Sequence, residues 1–180
     1  TSRPNGGKTT AMINCFLQIQ TGDRPFETVI VIQPSTSKEW DIIDPTVILS
    51  DIPDPDTLVD RDNGKTLLII DDFDMTKLNR NQQQKFSMLF RYISSHHNIS
   101  VMLSYQDFFS VSTLLRKCCN YFFLWKVNSK DELTLIAKRV NLDKHVLKKL
   151  FKQYLHKKQD FLLIDMVTDT IRKNLFELIP

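Results

Sequence analysis

The run "TLLIIDD" (66–72) constrains the fold more than any other stretch of this chain. Its consecutive aliphatic residues cannot be sorted into a wet and a dry face by the two-residue alternation of a strand, so a strand here is buried on both sides. Such a strand belongs at the centre of a sheet covered by helices. It stops abruptly at Asp71 and Asp72, and in open α/β sheets the C-terminal ends of strands are where ligands bind. A plain strand closed by an acidic turn is the bland reading of the same residues.

The surrounding sequence supplies partners for such a strand. "TVIVIQP" (28–34) is a β-branched run ended by proline, "NISVMLSYQ" (98–106) reads as another buried strand, and "YFFLWKV" (121–127) as a further one. Between them, "TTAMINCFLQIQ" places Met12, Ile13, Phe16 and Leu17 at helical spacing and stops near Gly22, and "NQQQKFSMLFRYISSHH" (81–97) gathers Phe86, Leu89, Phe90 and Ile93 on one side. A short helix is expected around "SVSTLLRKCC". Strand and helix alternate, so the expected class is α/β with a mainly parallel central sheet flanked by helices. Residues 35–63, with Pro45, Pro53 and Pro55 among scattered aspartates, read as loop with at most short elements. The tail reads as two helices, "KDELTLIAKRV" and "DKHVLKKLFKQYLH", joined near Asn141 with Asp143 as a cap, then two strands in "DFLLIDMV" and "NLFELI".

The opening "SRPNGGKTT" (2–10) holds two of the four glycines. Ser2, Gly7, Lys8 and Thr9 occupy the fixed positions of the phosphate-loop pattern G-x-x-x-x-G-K-[ST], with serine in place of the first glycine. In that pattern the backbone N–H groups of Asn5, Gly6, Gly7 and Thr10 point at a phosphate at a helix N-terminus, the lysine neutralises β- and γ-oxygens, and the hydroxyl of Thr9 reaches Mg²⁺. Taken alone the stretch reads equally well as a helix-capping loop. Its position upstream of "LLIIDD" favours the nucleotide reading: Asp71 then holds Mg²⁺, directly or through water, and Asp72 polarises an attacking water. Gln106, at the end of the neighbouring strand, is placed to sense a γ-phosphate or orient water, or is simply a polar strand end.

Composition narrows the remaining classes. Hydrophobic residues make up 42% and charged residues 25% of the 180, as in ordinary globular domains, and no apolar run is long enough for a membrane span. The three cysteines include an adjacent pair, which argues against a disulfide framework, and the histidines stand at no zinc spacing. The expected setting is intracellular. Charge is uneven: residues 1–90 carry 9 Lys+Arg against 13 Asp+Glu, residues 91–180 carry 15 against 8. A basic second half suits a polyanion, and also an ordinary solvated face. On the second helix of the tail, Lys144, Lys148, Lys149 and Lys152 oppose an expected inward side of Val146, Leu147, Leu150, Phe151 and Tyr154. The aromatics Tyr121, Phe122, Phe123 and Trp125 read as strand core.

"LLIIDDF", a helix, "HHNISVMLSYQ" and "LLRKCCNYFFLWK" together resemble the genome-packaging ATPases of large DNA viruses and virophages in the HerA/FtsK superfamily. The resemblance spans residues 2–127 and is most specific over 67–125, where His96, Asn98, Ile99, Ser100, Gln106 and Arg116 match in order and Asn120 comes one residue late. It implies a single P-loop ATPase domain over 1–180, with a nucleotide-binding core at 1–127 and closing helices and strands at 128–180. It also implies an ATP- and Mg²⁺-dependent motor, a homo-oligomeric ring that moves double-stranded DNA into a capsid through contact with capsid proteins, in the host cytoplasm, a viral factory or the virion, with no membrane partner. Such rings complete each site with a neighbour's arginine. Family members often carry one just before the position of His96, where this chain has Ser95, which leaves Arg80, Arg91 or Arg116, with Arg116 preferred. The strand that normally leads into a phosphate loop is not seen before Thr1, so the sequence reads as a fragment, with a groove expected beside "LLIID". Two other readings stay open: another P-loop helicase or translocase, and a nucleotide-binding assembly module without turnover.

Overall fold

The computed structural model describes residues 6–22, 25–34, 37–59, 64–127 and 129–180. The chain divides into two compact units, residues 9–105 and residues 106–180 with 1–8.

The first unit is built on a parallel sheet of four strands, in the order β2-β1-β3-β4. These are β1 (Thr28–Ile32), β2 (Val47–Leu49), β3 (Thr66–Ile70) and β4 (Ile99–Leu103). β3 is buried at every position, as its unbroken aliphatic run requires. In register, Ile30 faces Leu68 and Leu68 faces Val101, so both edges of β3 are hydrogen-bonded to neighbours. The groove expected beside "LLIID" is therefore not there. Among the described strands of this sheet, the edges without a partner are the outer sides of β2 and β4.

Helix α1 (Lys8–Gln20) lies on one face. Ile13 and Phe16 pack with Val29 and Val31 of β1, Leu67 and Ile69 of β3, and Trp40 and Ile43 from a short 3₁₀ segment, Lys38–Ile43. The residues that alternate to the opposite face, Ile30, Ile32, Leu68 and Ile70, are buried as well. Helix α2 (Pro55–Val59) and then α3 (Arg80–Met88) follow, and α3 runs through a π-helical turn, Leu89–Ile93, into α4 (Ser94–His96). Asn79 and Gln82 form a reciprocal capping box at the start of α3. Of the stripe read from the sequence, Phe86, Leu89 and Ile93 are buried and Phe90 is half-buried.

The second unit carries an antiparallel sheet of four strands in sequential order, β5 (Tyr121–Trp125), β6 (Phe161–Asp165), β7 (Thr170–Lys173) and β8 (Glu177–Ile179). The expected strand at 121–127 thus pairs with β6 and not with the parallel sheet. The tail ends in three strands where two were expected, because the polar "TIRK" run is held between β6 and β8. Helices α5 (Thr113–Cys118), α6 (Lys130–Arg139) and α7 (Lys144–Tyr154) complete the unit. As the sequence suggested, Asp143 caps α7, accepting from the N–H groups of His145 and Val146, and the joint falls at Asn141, which takes the left-handed conformation that ends the preceding helix. Leu147 and Phe151 are buried, whereas Val146 is 47% exposed and stands outside the expected inward stripe. Of the aromatic run, Phe122 and Trp125 are buried and Tyr121 is exposed. No helix among the described residues is long and apolar enough to cross a membrane.

Candidate functional site

In the first unit the parallel strands end together, and Asp71 and Asp72 follow β3 there. The Asp71 N–H donates to the carbonyl of Ile32 (2.9 Å), and the Ser104 N–H donates to the carbonyl of Ile70 (2.8 Å). These bonds extend the ladder past the last paired residues and fix both groups at the sheet's C-terminal rim. Asp71 is buried, at 6% exposure. Burial of a carboxylate is tolerated only with hydrogen-bond donors around it, and three converge here. Thr9 donates its hydroxyl to Oδ2 at 2.8 Å, Trp40 donates Nε1–H to the same oxygen at 3.2 Å, and the Ser104 hydroxyl donates to Oδ1 in a short bond.

Each donor has its own structural reason for being in place. Thr9 is the second residue of α1, whose Ile13 and Phe16 are anchored in the core. Trp40 is fully buried in the 3₁₀ segment, whose start is capped by the Ser37 side chain accepting from the Glu39 N–H. Ser104 directly follows β4 and is itself buried. Its hydroxyl oxygen also accepts from the Asp72 N–H at 3.0 Å, so one serine ties both acids to the neighbouring strand. Asp72 is exposed and takes φ +51°. The left-handed region is unfavourable for residues other than glycine, though aspartate tolerates it, and such residues gather at functional sites.

Of the remaining residues singled out in the sequence, Ser2 and Asn5 lie outside the described residues. Thr10 is exposed on the first turn of α1. In the second unit, Gly6 is buried and Gly7 has φ +81°, a conformation that L side chains rarely adopt, so glycine is required there. The Lys8 Nζ is buried. Gln106 is exposed and lies beyond the end of β4, which is shorter than the run to Gln106 suggested. Arg116 donates to the carbonyl of Phe108 (3.0 Å) and to the Thr113 hydroxyl (2.9 Å), with its guanidinium 5.2 Å above the Phe108 ring. Arg139 donates to the carbonyls of Arg116, Lys117 and Cys119, closing the C-terminal end of α5. Arg80 and Arg91 are exposed.

Sequence reading missed Ser104 and Trp40. Ser104 stands two residues before Gln106, and a small hydroxyl on the strand beside an acid pair was the available signal. Trp40 was hidden in the loop-rich stretch, where a lone tryptophan among exposed polar residues is itself a mark of burial. Burial pushes the thiols of Cys15 and Cys119 up to about 11, which disfavours their thiolates. Among the described residues no cluster of three or more His, Cys, Asp or Glu could hold a metal ion by protein ligands alone.

The fold is one shared with solved viral genome-packaging NTPases. The chain superposes on the genome packaging NTPase B204 of Sulfolobus turreted icosahedral virus 2 in complex with sulfate, with a TM-score of 0.69 at 17% identity over 96% of this chain and 92% of that one. Against the same protein in complex with AMPPCP the TM-score is 0.66 at 18% identity, covering 96% and 93%. Against B204, the DNA-packaging ATPase of Sulfolobus turreted icosahedral virus, it is 0.68 at 14% identity, with the same coverage. No protein-family model matches the sequence, and no curated protein matches it.

Proposed function

We propose that this chain is the ATP-hydrolysing domain of a motor that translocates double-stranded viral DNA into a capsid. The observation that carries the reading is the hydrogen bond from Thr9 to Asp71. It joins the helix that begins at "GGKTT" to the acid at the end of the central strand, in a fold shared with packaging NTPases.

The donor set suits Mg²⁺. A hydroxyl that gives its proton to a carboxylate keeps its oxygen lone pairs for a cation, and Mg²⁺ takes one or two protein oxygens with phosphate and water supplying the rest. Thr9 and Asp71 would hold it, and when bound it would neutralise charge on the β- and γ-phosphate oxygens. Ser2, Asn5, Gly6, Gly7 and Thr10 would form the phosphate cradle, with the Lys8 ammonium against the same oxygens. Asp72 would orient the attacking water and take its proton as the bond from the γ-phosphorus to ADP breaks. Gln106 would report the γ-phosphate. Arg116 would complete the site of a neighbour in a homo-oligomeric ring, exchanging its bonds to Phe108 and Thr113 for phosphate oxygens. The basic second half, α7 above all, would face duplex phosphates without reading sequence. Capsid proteins would receive the ring, in the host cytoplasm, a viral factory or the virion.

The test is steady-state ATP hydrolysis by the purified chain with and without Mg²⁺, beside Lys8→Ala. Metal-dependent turnover that is lost in the variant is expected. Nucleotide binding without turnover in either protein would replace the motor with an assembly module.

A further inference from the structure

Trp40 donates to Asp71 from a segment that phosphate-loop chemistry does not call for. It reaches the carboxylate from the 3₁₀ segment, outside both the loop and the acid strand, and its indole is buried in one core cluster with Ile13, Phe16, Val29, Val31, Leu67 and Ile69. An indole N–H donates in one fixed direction, accepts nothing and cannot bind a metal. An ionised carboxylate offers about four acceptor positions on its two oxygens. Among the described residues, Thr9 and Trp40 take both on Oδ2 and Ser104 takes one on Oδ1. One position on Oδ1 is left.

From this occupancy we infer that Trp40 is a positioning residue of the metal site. It fills the second acceptor position of Oδ2, so that Asp71 presents a single remaining acceptor to the cation's hydration shell and is kept from direct ligation through Oδ2. Removing the N–H while keeping the ring frees that position and loosens the carboxylate that Thr9 is bonded to. Groups of this kind, which hold a ligand in place without touching the metal, typically change metal affinity by about 10- to 100-fold when lost. The inference rests on the nucleotide-site reading above, and it makes Trp40 a built-in reporter of the site.

The experiment uses the full chain with Trp125→Phe, which leaves Trp40 as the sole tryptophan of the two in the sequence. Mn²⁺ is titrated in the presence of ADP, with Mn²⁺ binding read by electron paramagnetic resonance and Trp40 emission read in parallel. Saturable Mn²⁺ binding that quenches Trp40 is expected, and Trp40→Phe is expected to weaken Mn²⁺ binding by about tenfold or more while leaving metal-free ADP affinity within about twofold. A second protein carries the benzothiophene analogue of tryptophan at position 40. It keeps the bicyclic shape, replaces N–H by sulfur, and separates the lost hydrogen bond from any packing defect in the phenylalanine variant. If both proteins bind Mn²⁺ as tightly as the parent, Trp40 is a core residue only and the inference falls while the nucleotide site stands. If the parent binds no Mn²⁺ with ADP, the site reading falls and this inference falls with it.

Discussion

At the level of single residues, the site depends on Ser104 and Asp72 in different ways. Ser104 satisfies a buried carboxylate oxygen and a backbone N–H with one hydroxyl. Ser104→Ala leaves both without that partner, and the expected loss of stability is about 1–3 kcal/mol, measured by urea unfolding. Asp72, by contrast, is exposed, and in the proposed mechanism its carboxylate serves the chemistry. Asn tolerates the left-handed backbone as Asp does, so Asp72→Asn is expected to fold and to bind nucleotide, while turnover drops by about 10²- to 10⁴-fold. Equal losses of stability and activity in Asp72→Asn would assign it a structural role. Asp71 and Asp72 were legible in sequence because an unbroken aliphatic run must be buried on both faces, and acids at its end then stand at the rim of a sheet. Ser104 was not, since a serine near a strand end carries no periodicity and no charge.

At the level of elements, legibility followed hydrophobic pattern. β1 and β3 are unbroken aliphatic runs and α1 carries a helical stripe, so these three were read close to their true bounds, while the single helix expected over 81–97 is divided into α3, the π-helical turn and α4. β7 is "TIRK", a polar run whose place is set by backbone pairing on both sides, and nothing in its own residues announces a strand. The 3₁₀ segment that delivers Trp40 is too short to show a period at all. Local chemistry did better than period at helix ends. The Asp143 carboxylate accepts from two N–H groups at the start of α7, at 2.7 and 3.4 Å. Asp143→Ala is expected to cost about 1 kcal/mol by chemical denaturation, and Asp143→Asn only a small part of that. The outward Val146 shows the limit of the stripe argument, because a helix packed on a narrow seam buries fewer positions than its apolar residues suggest.

For the whole molecule, the sequence predicted the α/β class that the structure shows but not the partition of its strands. Whether two runs pair in parallel or antiparallel depends on the path of the connection, and residues 126–160 insert two helices between β5 and β6 before those strands meet. The asymmetry of charge is the other property of the whole chain. Lys144, Lys148, Lys149 and Lys152 are all exposed on α7. If they face a duplex, changing all four to glutamine lowers the slope of log affinity against log salt by up to about 3.6, since each phosphate contact contributes about 0.9. An unchanged slope would make α7 an ordinary solvated face.

The most direct test of the motor reading is the rate of ATP hydrolysis by the full chain with increasing amounts of duplex DNA, at one fixed salt concentration, beside an equal mass of single-stranded DNA and the Lys8→Ala variant. A DNA-driven motor turns over faster as duplex is added, gains less from single strands, and loses its activity in Lys8→Ala under every condition. Turnover indifferent to duplex, or undiminished in Lys8→Ala, would contradict that reading.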